Sequence, residues 1–301
     1  MTHVELQPDL LPLLGRVDNV LDGIAGFVEH YDFSRANSSY EARVQAITKV
    51  ASICYANPKA LGSISLFDRL QAESGGLPSS SYEFIPIFIS SLLDMSNIRK
   101  KARLTQSLEC SSEKYGYYIK TAKGTVLGLL TNLRALIDDV GPEASLNYLN
   151  TSEEEIQIIR DNFKVFLFNV DLSTRAQMVR HRVSWQELSR RYVNGKRVAF
   201  EFYASEKMSR INSYSDIKPI EDSYSTQEVI DICTNHYYAA LESGVKPEEA
   251  RRILPQAMMT QIWGAFQPSQ LDNWFTLRLD QHAQLEIRCV AEAMQELING
   301  N

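Results

Sequence analysis

The sequence contains few cysteines and none of the short motifs typical of common metal and nucleotide sites. Cys54, Cys110, Cys233 and Cys289 are scattered along 301 residues without CxxC spacing, which argues against a disulfide framework or a zinc site. Neither a GxGxxG fingerprint nor a Walker motif occurs, so no glycine-rich loop supports nucleotide binding. We therefore expect reduced thiols in a cytoplasmic protein and no bound metal.

The chain also lacks an excess of positive charge and a long apolar segment. Lys and Arg total 31 against 37 Asp and Glu, for a net charge of −6, which argues against general nucleic-acid binding. The most apolar run, residues 84–93, is far shorter than the ~20 residues of a membrane span, and residues 1–5 do not resemble the start of a signal peptide. We expect no membrane and no nucleic-acid partner, while a local basic pocket for one small anion is compatible with this charge.

What is present is the composition of a folded protein, with 44% apolar and 23% charged residues. Apolar periodicity predicts helices at Tyr40–Ala56, Val126–Asp139, Thr174–Arg180, Thr226–Gly244, Lys246–Met259 and Asp272–Ile298, and a further helix start at Thr151. Aromatic and β-branched runs predict strands at Tyr82–Ile89, Phe163–Val170 and Val198–Tyr203, and composition predicts a loop at Ser74–Ser81. The absence of a regular βαβ rhythm favours an α+β fold.

One segment, residues 177–192, concentrates polar chemistry. Four arginines and His181 lie among Glu187, Ser189 and Tyr192. An arginine side chain presents a rigid fork of donors that matches phosphate oxygens or the edge of a pyrimidine. Spacing alone leaves two interpretations open, an anion-binding site or a solvated basic face with one structural ion pair.

A second polar cluster lies in the last third of the chain. Arg251 follows Glu248 by three positions, an ion-pair spacing on a helix. Arg278 and His282 are four positions apart, so they share a face of the predicted final helix. For His282 the better interpretation is an ordinary surface residue with a local partner.

These two segments carry a resemblance to a known family. Arg180-His181-Arg182 followed by residues 186–192 (QELSRRY) resembles the signature of the flavin-dependent thymidylate synthases. A C-terminal run is similar to the same family without a gap: residues 242–245, 248–251, Leu254-Pro255, Thr260, Asn273, residues 277–278, and 282–284 with 286–287. Together the motifs cover roughly residues 174–298. The N-terminal half fits loosely, and residues from about 92 to 160 resemble the insertion of longer relatives within a single domain, 1–301.

The resemblance implies a fold, a reaction and a set of site residues. The implied fold is a twisted antiparallel sheet flanked by helices, assembled as a homotetramer with its sites between subunits. The implied reaction forms dTMP from dUMP, with methylenetetrahydrofolate as carbon donor and a hydride from FAD that NADPH reduces. The residues implied to hold the nucleotide are Gln177, Arg180, Glu187, Ser189, Arg191, Arg251 and Arg278, and Arg278 is implied to activate the base. The residues implied to contact the flavin are Arg180, His181, Arg182, Glu187 and Asn273, with Gln267 and Ser80 at two further family positions.

The sequence departs from the family pattern at several of these positions. Six residues separate Arg182 from Ser189, where the usual signature has seven. The family's flavin-contacting segment, which carries two histidines, corresponds to residues 76–84, where Pro78 and Phe84 replace the histidines and Ser80 and Glu83 remain as polar remnants. Near the C-terminus, Gln267 and Ser269 stand where the family prefers asparagine and arginine.

Three hypotheses follow from the resemblance and these departures. The first is a divergent flavin-dependent thymidylate synthase. The second is a C5-methylase of another pyrimidine nucleotide such as UMP. The third is a nucleotide-binding relative without catalytic activity that has lost the flavin.

Overall fold

A computed structural model of the chain describes residues 2–71, 78–104, 109–209 and 224–300. The first half of the loop predicted at Ser74–Ser81, residues 74–77, lies outside these residues. The described strands are β1 (Leu13–Leu21), β2 (Ala25–Tyr31), β3 (Pro86–Ile89), β4 (Tyr117–Lys120), β5 (Val126–Asn132), β6 (Lys164–Asp171), β7 (Ser184–Glu187) and β8 (Met259–Phe266).

The described α-helices connect and cover these strands. They are α1 (Tyr40–Cys54), α2 (Ile64–Gln71), α3 (Leu92–Leu104), α4 (Ser111–Lys114), α5 (Leu133–Val140), α6 (Glu153–Asn162), α7 (Leu172–Met178), α8 (Glu206–Ser209), α9 (Thr226–Glu242), α10 (Pro247–Ala250), α11 (Pro268–Arg278) and α12 (Leu285–Asn299). Short 3-10 helices lie at Pro8–Leu10, Pro58–Ala60, Ser80–Phe84, Ala144–Asn147 and Arg251–Ile253. The described helices include none that is long and apolar enough to cross a membrane.

The larger sheet has five strands in the order β1-β2-β6-β8-β7, and every pairing in it is antiparallel. Its central strand β6 is apolar on both faces. Val165 and Leu167 belong to a core with α1, whereas Phe166 and Phe168 belong to a second core with α12. Burial on both faces explains why the sequence of β6 reads as an apolar run rather than as an alternation. The predictions of an α+β class and of a strand over Phe163–Val170 are confirmed.

A smaller sheet, β3-β5-β4, lies within residues 86–132 and is also antiparallel. The predicted helix at Val126–Asp139 is wrong over its first half, because residues 126–132 form the central strand β5. The run pairs with β3 on one side and β4 on the other, and residues 128–132 are buried. Gly128 approaches the Phe88 ring so closely that an added Cβ would lie 2.5 Å from it. Asn132 then caps α5 by accepting the Ala135 N–H at 3.0 Å.

The predicted strand at Tyr82–Ile89 is also only partly realised. Residues 80–84 form a 3-10 helix, and the strand begins at Pro86. In the described sheet β3 pairs only with β5, so it is an edge strand, which is where proline is tolerated. The predicted strand at Val198–Tyr203 is wrong, since only one bridge, from Phe202 to Met258, forms there.

Two of the predicted C-terminal helices are interrupted. In Lys246–Met259 only α10 and a 3-10 turn form, because Pro255 prevents continuation, and β8 begins at Met259. Asp272–Ile298 is two helices, and in the break between them the Asp280 carboxylate accepts the His282 N–H at 2.7 Å.

Other helix predictions are confirmed, with local reasons for their ends. Helix α1 begins and ends within two residues of its predicted bounds, and α7 lies at the predicted Thr174–Arg180 segment, shifted by two residues. Ser152 caps α6 by accepting the Glu155 N–H at 3.3 Å. Gly244 follows α9 with a φ of +85°, the left-handed conformation that favours glycine after a helix.

Candidate active site

The candidate site is built where α7, the segment after it and α11 meet. Asp171, at the end of β6, caps α7 by accepting the Ser173 N–H at 3.1 Å and the Thr174 N–H at 3.3 Å. Because α7 is only two turns long, this cap determines where Gln177 and the following residues lie. The chain then turns through residues 179–183 and enters β7, which pairs with β8.

Arg278, at the last position of α11, contacts the segment after α7. Its Nε donates to His181 Nε2 at 2.8 Å, and one Nη donates to the Gln177 backbone carbonyl at 3.1 Å. The Asn273 side-chain amide lies 3.4 Å from His181 Nδ1. The structure therefore brings together four residues that the sequence analysis singled out from two distant segments. The other Nη of Arg278 has no hydrogen-bond partner in the described part of the chain.

His181 is buried and acts as a neutral acceptor. Its ring lies 4.7 Å from that of Trp274, and only 6% of the residue is exposed. Burial, and then the Arg278 charge, lower the pKa of His181 from 6.5 to about 4. A neutral ring that accepts at Nε2 carries its proton on Nδ1. His181 thus orients the Arg278 guanidinium, and a direct contact with a flavin stays a prediction.

The surroundings of Arg278 disfavour its positive charge. Partial burial, and then the charge of Arg180, lower the pKa of Arg278. Arg180 itself is exposed, and its guanidinium has no ion-pair partner among residues 2–71, 78–104, 109–209 and 224–300. Two arginines so arranged attract an anion or a group that develops negative charge.

Glu187, on β7, is held by a residue that the sequence analysis missed. Arg175 on α7 donates to the Glu187 carboxylate through Nε at 2.9 Å and through one Nη, and Thr260 donates to its other oxygen at 3.1 Å. The twelve-residue separation between Arg175 and Glu187 carried no signal, because helical spacing links only positions three or four apart.

The remaining predicted nucleotide residues lie elsewhere. Ser189 follows β7, and its N–H donates to the Cys54 carbonyl at 3.0 Å. Arg191 is exposed over the Tyr192 ring at 5.4 Å. Arg251 is exposed in the 3-10 turn after α10. No recorded contact within the described residues joins these three side chains to Arg278.

The loop after β7 is anchored by Arg190, which sequence reasoning did not assign to the site. Only 6% of Arg190 is exposed; one Nη donates to the Val198 carbonyl at 2.9 Å, and the guanidinium lies 4.8 Å from the centre of the Phe200 ring. Burial lowers the pKa of Arg190. This buried anchor leaves its neighbours Ser189 and Arg191 on the less buried side of the loop.

Of the other residues implied to contact a flavin, Ser80 contacts β7, whereas Gln267 and Arg182 lie near residues 114–138. Ser80 donates to the Gln186 side-chain oxygen, and Gln267 donates from Nε2 to the Tyr115 carbonyl at 3.0 Å. Gln267 and Arg182 line one cavity of about 580 Å³, which we call the insertion cavity. The polar and charged side chains that line this cavity are Glu83, Lys114, Tyr115, Asn132, Arg134, Asp138, Arg182, Ser184, Gln267 and Gln270.

Three of the cysteines, Cys54, Cys110 and Cys289, have thiols that burial makes harder to ionise. Burial raises the pKa of Cys54 to about 12 and that of Cys110 to about 11, and it also raises the pKa of Cys289. A thiol with a raised pKa is a poor nucleophile at neutral pH. The described residues contain no group of three or more His, Cys, Asp or Glu that could hold a metal ion. His282 is exposed and bonds to Asp280 at 2.8 Å, as the surface interpretation predicted.

Comparison with known proteins finds relatives of the C-terminal half of the chain. Residues 152–300 match the family model described as thymidylate synthase complementing protein. The chain is 34% identical over 146 residues to the flavin-dependent thymidylate synthase of Aquifex aeolicus, an alignment that covers 46% of this chain and 45% of that protein. It is 30% identical over 139 residues (45% and 56%) to the enzyme of that name from Geobacter sulfurreducens, and 33% identical over 142 residues (44% and 48%) to that from Saccharolobus solfataricus. The chain thus spans about half the length of the relatives it matches.

Proposed function

Because residues 152–300 of this chain belong to the thymidylate synthase complementing protein family, we propose that it is a flavin-dependent thymidylate synthase. The reaction is the reductive methylation of dUMP to dTMP, with methylenetetrahydrofolate and NADPH as co-substrates and FAD as cofactor. The observation that carries this proposal is Arg278, held by His181 and by the Gln177 carbonyl with one edge of its guanidinium open. The fold proposed to go with it is the twisted sheet of that family.

In this proposal Arg278 is the catalytic residue and His181 is its positioning residue. A guanidinium fixed by two hydrogen bonds need not reorganise when negative charge develops on the pyrimidine, and such preorganised donors are among the largest contributors to catalysis. Arg180 adds positive charge nearby. The raised pKa of the Cys54 thiol supports a route without attack by an enzyme cysteine.

The residues present fit a flavin dinucleotide. The insertion cavity has the guanidinium of Arg182 and the side-chain amide of Gln267 in its wall, and cationic and amide donors suit phosphates and the carbonyl oxygens of a flavin ring. When bound, FAD supplies the hydride. The chain's own part is to bind it through Arg180, Arg182, Asn273 and Gln267, with Ser80 and Glu187 nearby, and to hold it beside the nucleotide.

The nucleotide is proposed to lie against Gln177, Arg180, Glu187, Ser189, Arg191 and Arg251. In one chain Ser189, Arg191 and Arg251 have no recorded contact with Arg278 within the described residues. A homotetramer in which different subunits contribute to one site is proposed to bring these residues to the same nucleotide. We also propose that the chain is a single cytoplasmic unit, 1–301, with an insertion at about residues 92–160.

Absorbance spectroscopy and a tritium-release assay test the proposal. We expect purified protein to take up FAD, to show a flavin band that shifts when dUMP is added, and to release tritium from 5-tritiated dUMP when folate and NADPH are present. Competition between UMP and dUMP shows whether the pocket accepts a ribose hydroxyl. A protein that neither takes up FAD nor releases tritium refutes the proposal.

One observation favours a second candidate, a nucleotide-binding relative without catalysis. Phe84 stands where the resemblance expects a flavin-contacting histidine, and it is fully buried in the core. That position therefore offers a flavin no polar group. This candidate predicts a colourless protein that still binds dUMP. The absorption spectrum after addition of FAD separates it from the synthase, and equilibrium dialysis with labelled dUMP checks that the nucleotide site is intact.

A further inference from the structure

We propose that the insertion cavity binds the phosphate groups of a dinucleotide and that Arg134, from the segment outside the family match, is one of its ligand-binding residues. The proposal rests on the proposed function only for the identity of the ligand, FAD. The cavity and its charges stand independently of that identity.

Cations from three separate elements converge on this cavity. Arg134 lies in the first turn of α5, Lys114 ends α4, and Arg182 lies between α7 and β7. Planar guanidinium groups match phosphate oxygens in two-point hydrogen bonds, and an ammonium adds charge. Glu83 and Asp138 also line the cavity, so the five charged lining groups sum to about +1 at neutral pH. The Lys114 ammonium pairs with Glu109 at 3.2 Å, so the two guanidinium groups are the main source of attraction for an anion.

Arg134 is held at the cavity wall by an ion pair, and the backbone of Arg182 is fixed by a hydrogen bond. One Nη of Arg134 donates to Glu83 at 2.6 Å, yet 32% of the Arg134 side chain is exposed, so part of its fork remains open. Gln270 donates to the Arg182 carbonyl at 2.8 Å and fixes the backbone there. The Arg182 guanidinium has no ion-pair partner in the described part of the chain. An exposed guanidinium held at its base is suited to a ligand rather than to a structural bond.

The size and the remaining wall of the cavity suit a nucleotide. About 580 Å³ lies within the range of small-molecule sites, which combine apolar walls with a few convergent polar groups. Phe163 and Ala265 supply apolar surface, and Asn132 and Gln267 supply amides. From the C-terminal segment the polar lining residues are the uncharged Gln267 and Gln270, so the second guanidinium comes from the insertion.

Ligand titration of charge variants tests this assignment in the full-length protein. FAD and NADPH are titrated separately by fluorescence, and inorganic pyrophosphate by calorimetry. Arg134→Ala is compared with Lys123→Ala, which removes an exposed charge from the turn between β4 and β5 of the same insertion. The loss of one charge-assisted hydrogen bond to a ligand raises the Kd by roughly tenfold or more. We expect the Kd for FAD to rise by about tenfold or more in Arg134→Ala and to stay unchanged in Lys123→Ala.

A second variant guards against a merely structural role. Glu83→Gln removes the partner of Arg134 and one negative charge, so an anion site should bind FAD at least as tightly. If Arg134 only stabilises the fold, both variants lower Tm alike and neither alters FAD binding, and the proposal is wrong.

The failures of the two proposals are distinguishable. Wild-type protein that binds FAD with an affinity independent of Arg134 overturns this inference alone. Pyrophosphate or NADPH binding that depends on Arg134, without any FAD binding, supports the anion site and refutes the flavin-dependent function. No binding of any of the three probes overturns both.

Discussion

Replacement of Arg278 by lysine separates catalysis from stability in one residue. Arg278 makes two hydrogen bonds, to His181 at 2.8 Å and to the Gln177 carbonyl at 3.1 Å, while part of its guanidinium stays open. Lysine keeps the charge but cannot reach both acceptors and a substrate at once, because its donors lie on one nitrogen. The substitution therefore keeps the positive charge but removes the planar set of hydrogen-bond donors.

The two expected losses differ in size. One lost hydrogen bond costs about 1 kcal/mol of unfolding free energy, which lowers Tm by about 1–2 °C in a chain of this size. The loss of one preorganised donor to a developing anion typically lowers kcat by about 10²-fold or more. Because such a bond acts only in the transition state, kcat and kcat/KM should fall together.

The assay is tritium release from 5-tritiated dUMP, run beside thermal unfolding of the same preparation. Arg288→Lys is the matched control, since Arg288 on α12 donates to the Gln281 carbonyl at 3.3 Å and forms an ion pair with Glu292 at 3.7 Å. We expect its activity to be unchanged. A drop in Arg278→Lys turnover of less than about tenfold, or one that only follows the folded fraction, would refute a catalytic role for Arg278.

Two further predictions concern stability. The buried His30 and His181 have pKa values of about 4 against 6.5 in the unfolded chain, so below pH 6.5 the unfolded state binds protons that the fold excludes. The free energy of unfolding should therefore fall as the pH decreases from 6.5 to 4, by about 1–2 kcal/mol per histidine after allowance for solvent screening. Urea unfolding curves with the same midpoint at pH 7 and at pH 5 would contradict this. The second prediction concerns Arg43, which is 2% exposed and donates to Asn37 at 2.6 Å and to the Ser145 hydroxyl and carbonyl at 3.0 and 2.8 Å. Because Arg43→Met leaves these acceptors unpaired, we expect it to lower the free energy of unfolding, measured in urea, by about 3 kcal/mol or more. A loss under about 1 kcal/mol would show that water replaces the arginine.

Local sequence determined the elements whose signals are local. The serine at position 152, the glycine at 244 and the helical period of residues 40–54 predict the ends and faces of α6, α9 and α1, and the structure agrees. The apolar run at 163–170 predicts β6 because a strand buried on both faces has no polar side. The polar segment at 177–192 could likewise be recognised from residue types alone.

Tertiary structure decided what depends on distant partners. Residues 126–132 carry leucines that fit a helix or a strand, and pairing with β3 and β4 selects the strand. The contact between His181 and Arg278 joins residues 97 positions apart, and that between Arg175 and Glu187 crosses from a helix to a strand. Whether the whole chain forms one domain with an insertion stays a prediction. Residue types thus reveal which side chains are available for chemistry, whereas long-range packing, which no local period encodes, determines which of them face one another.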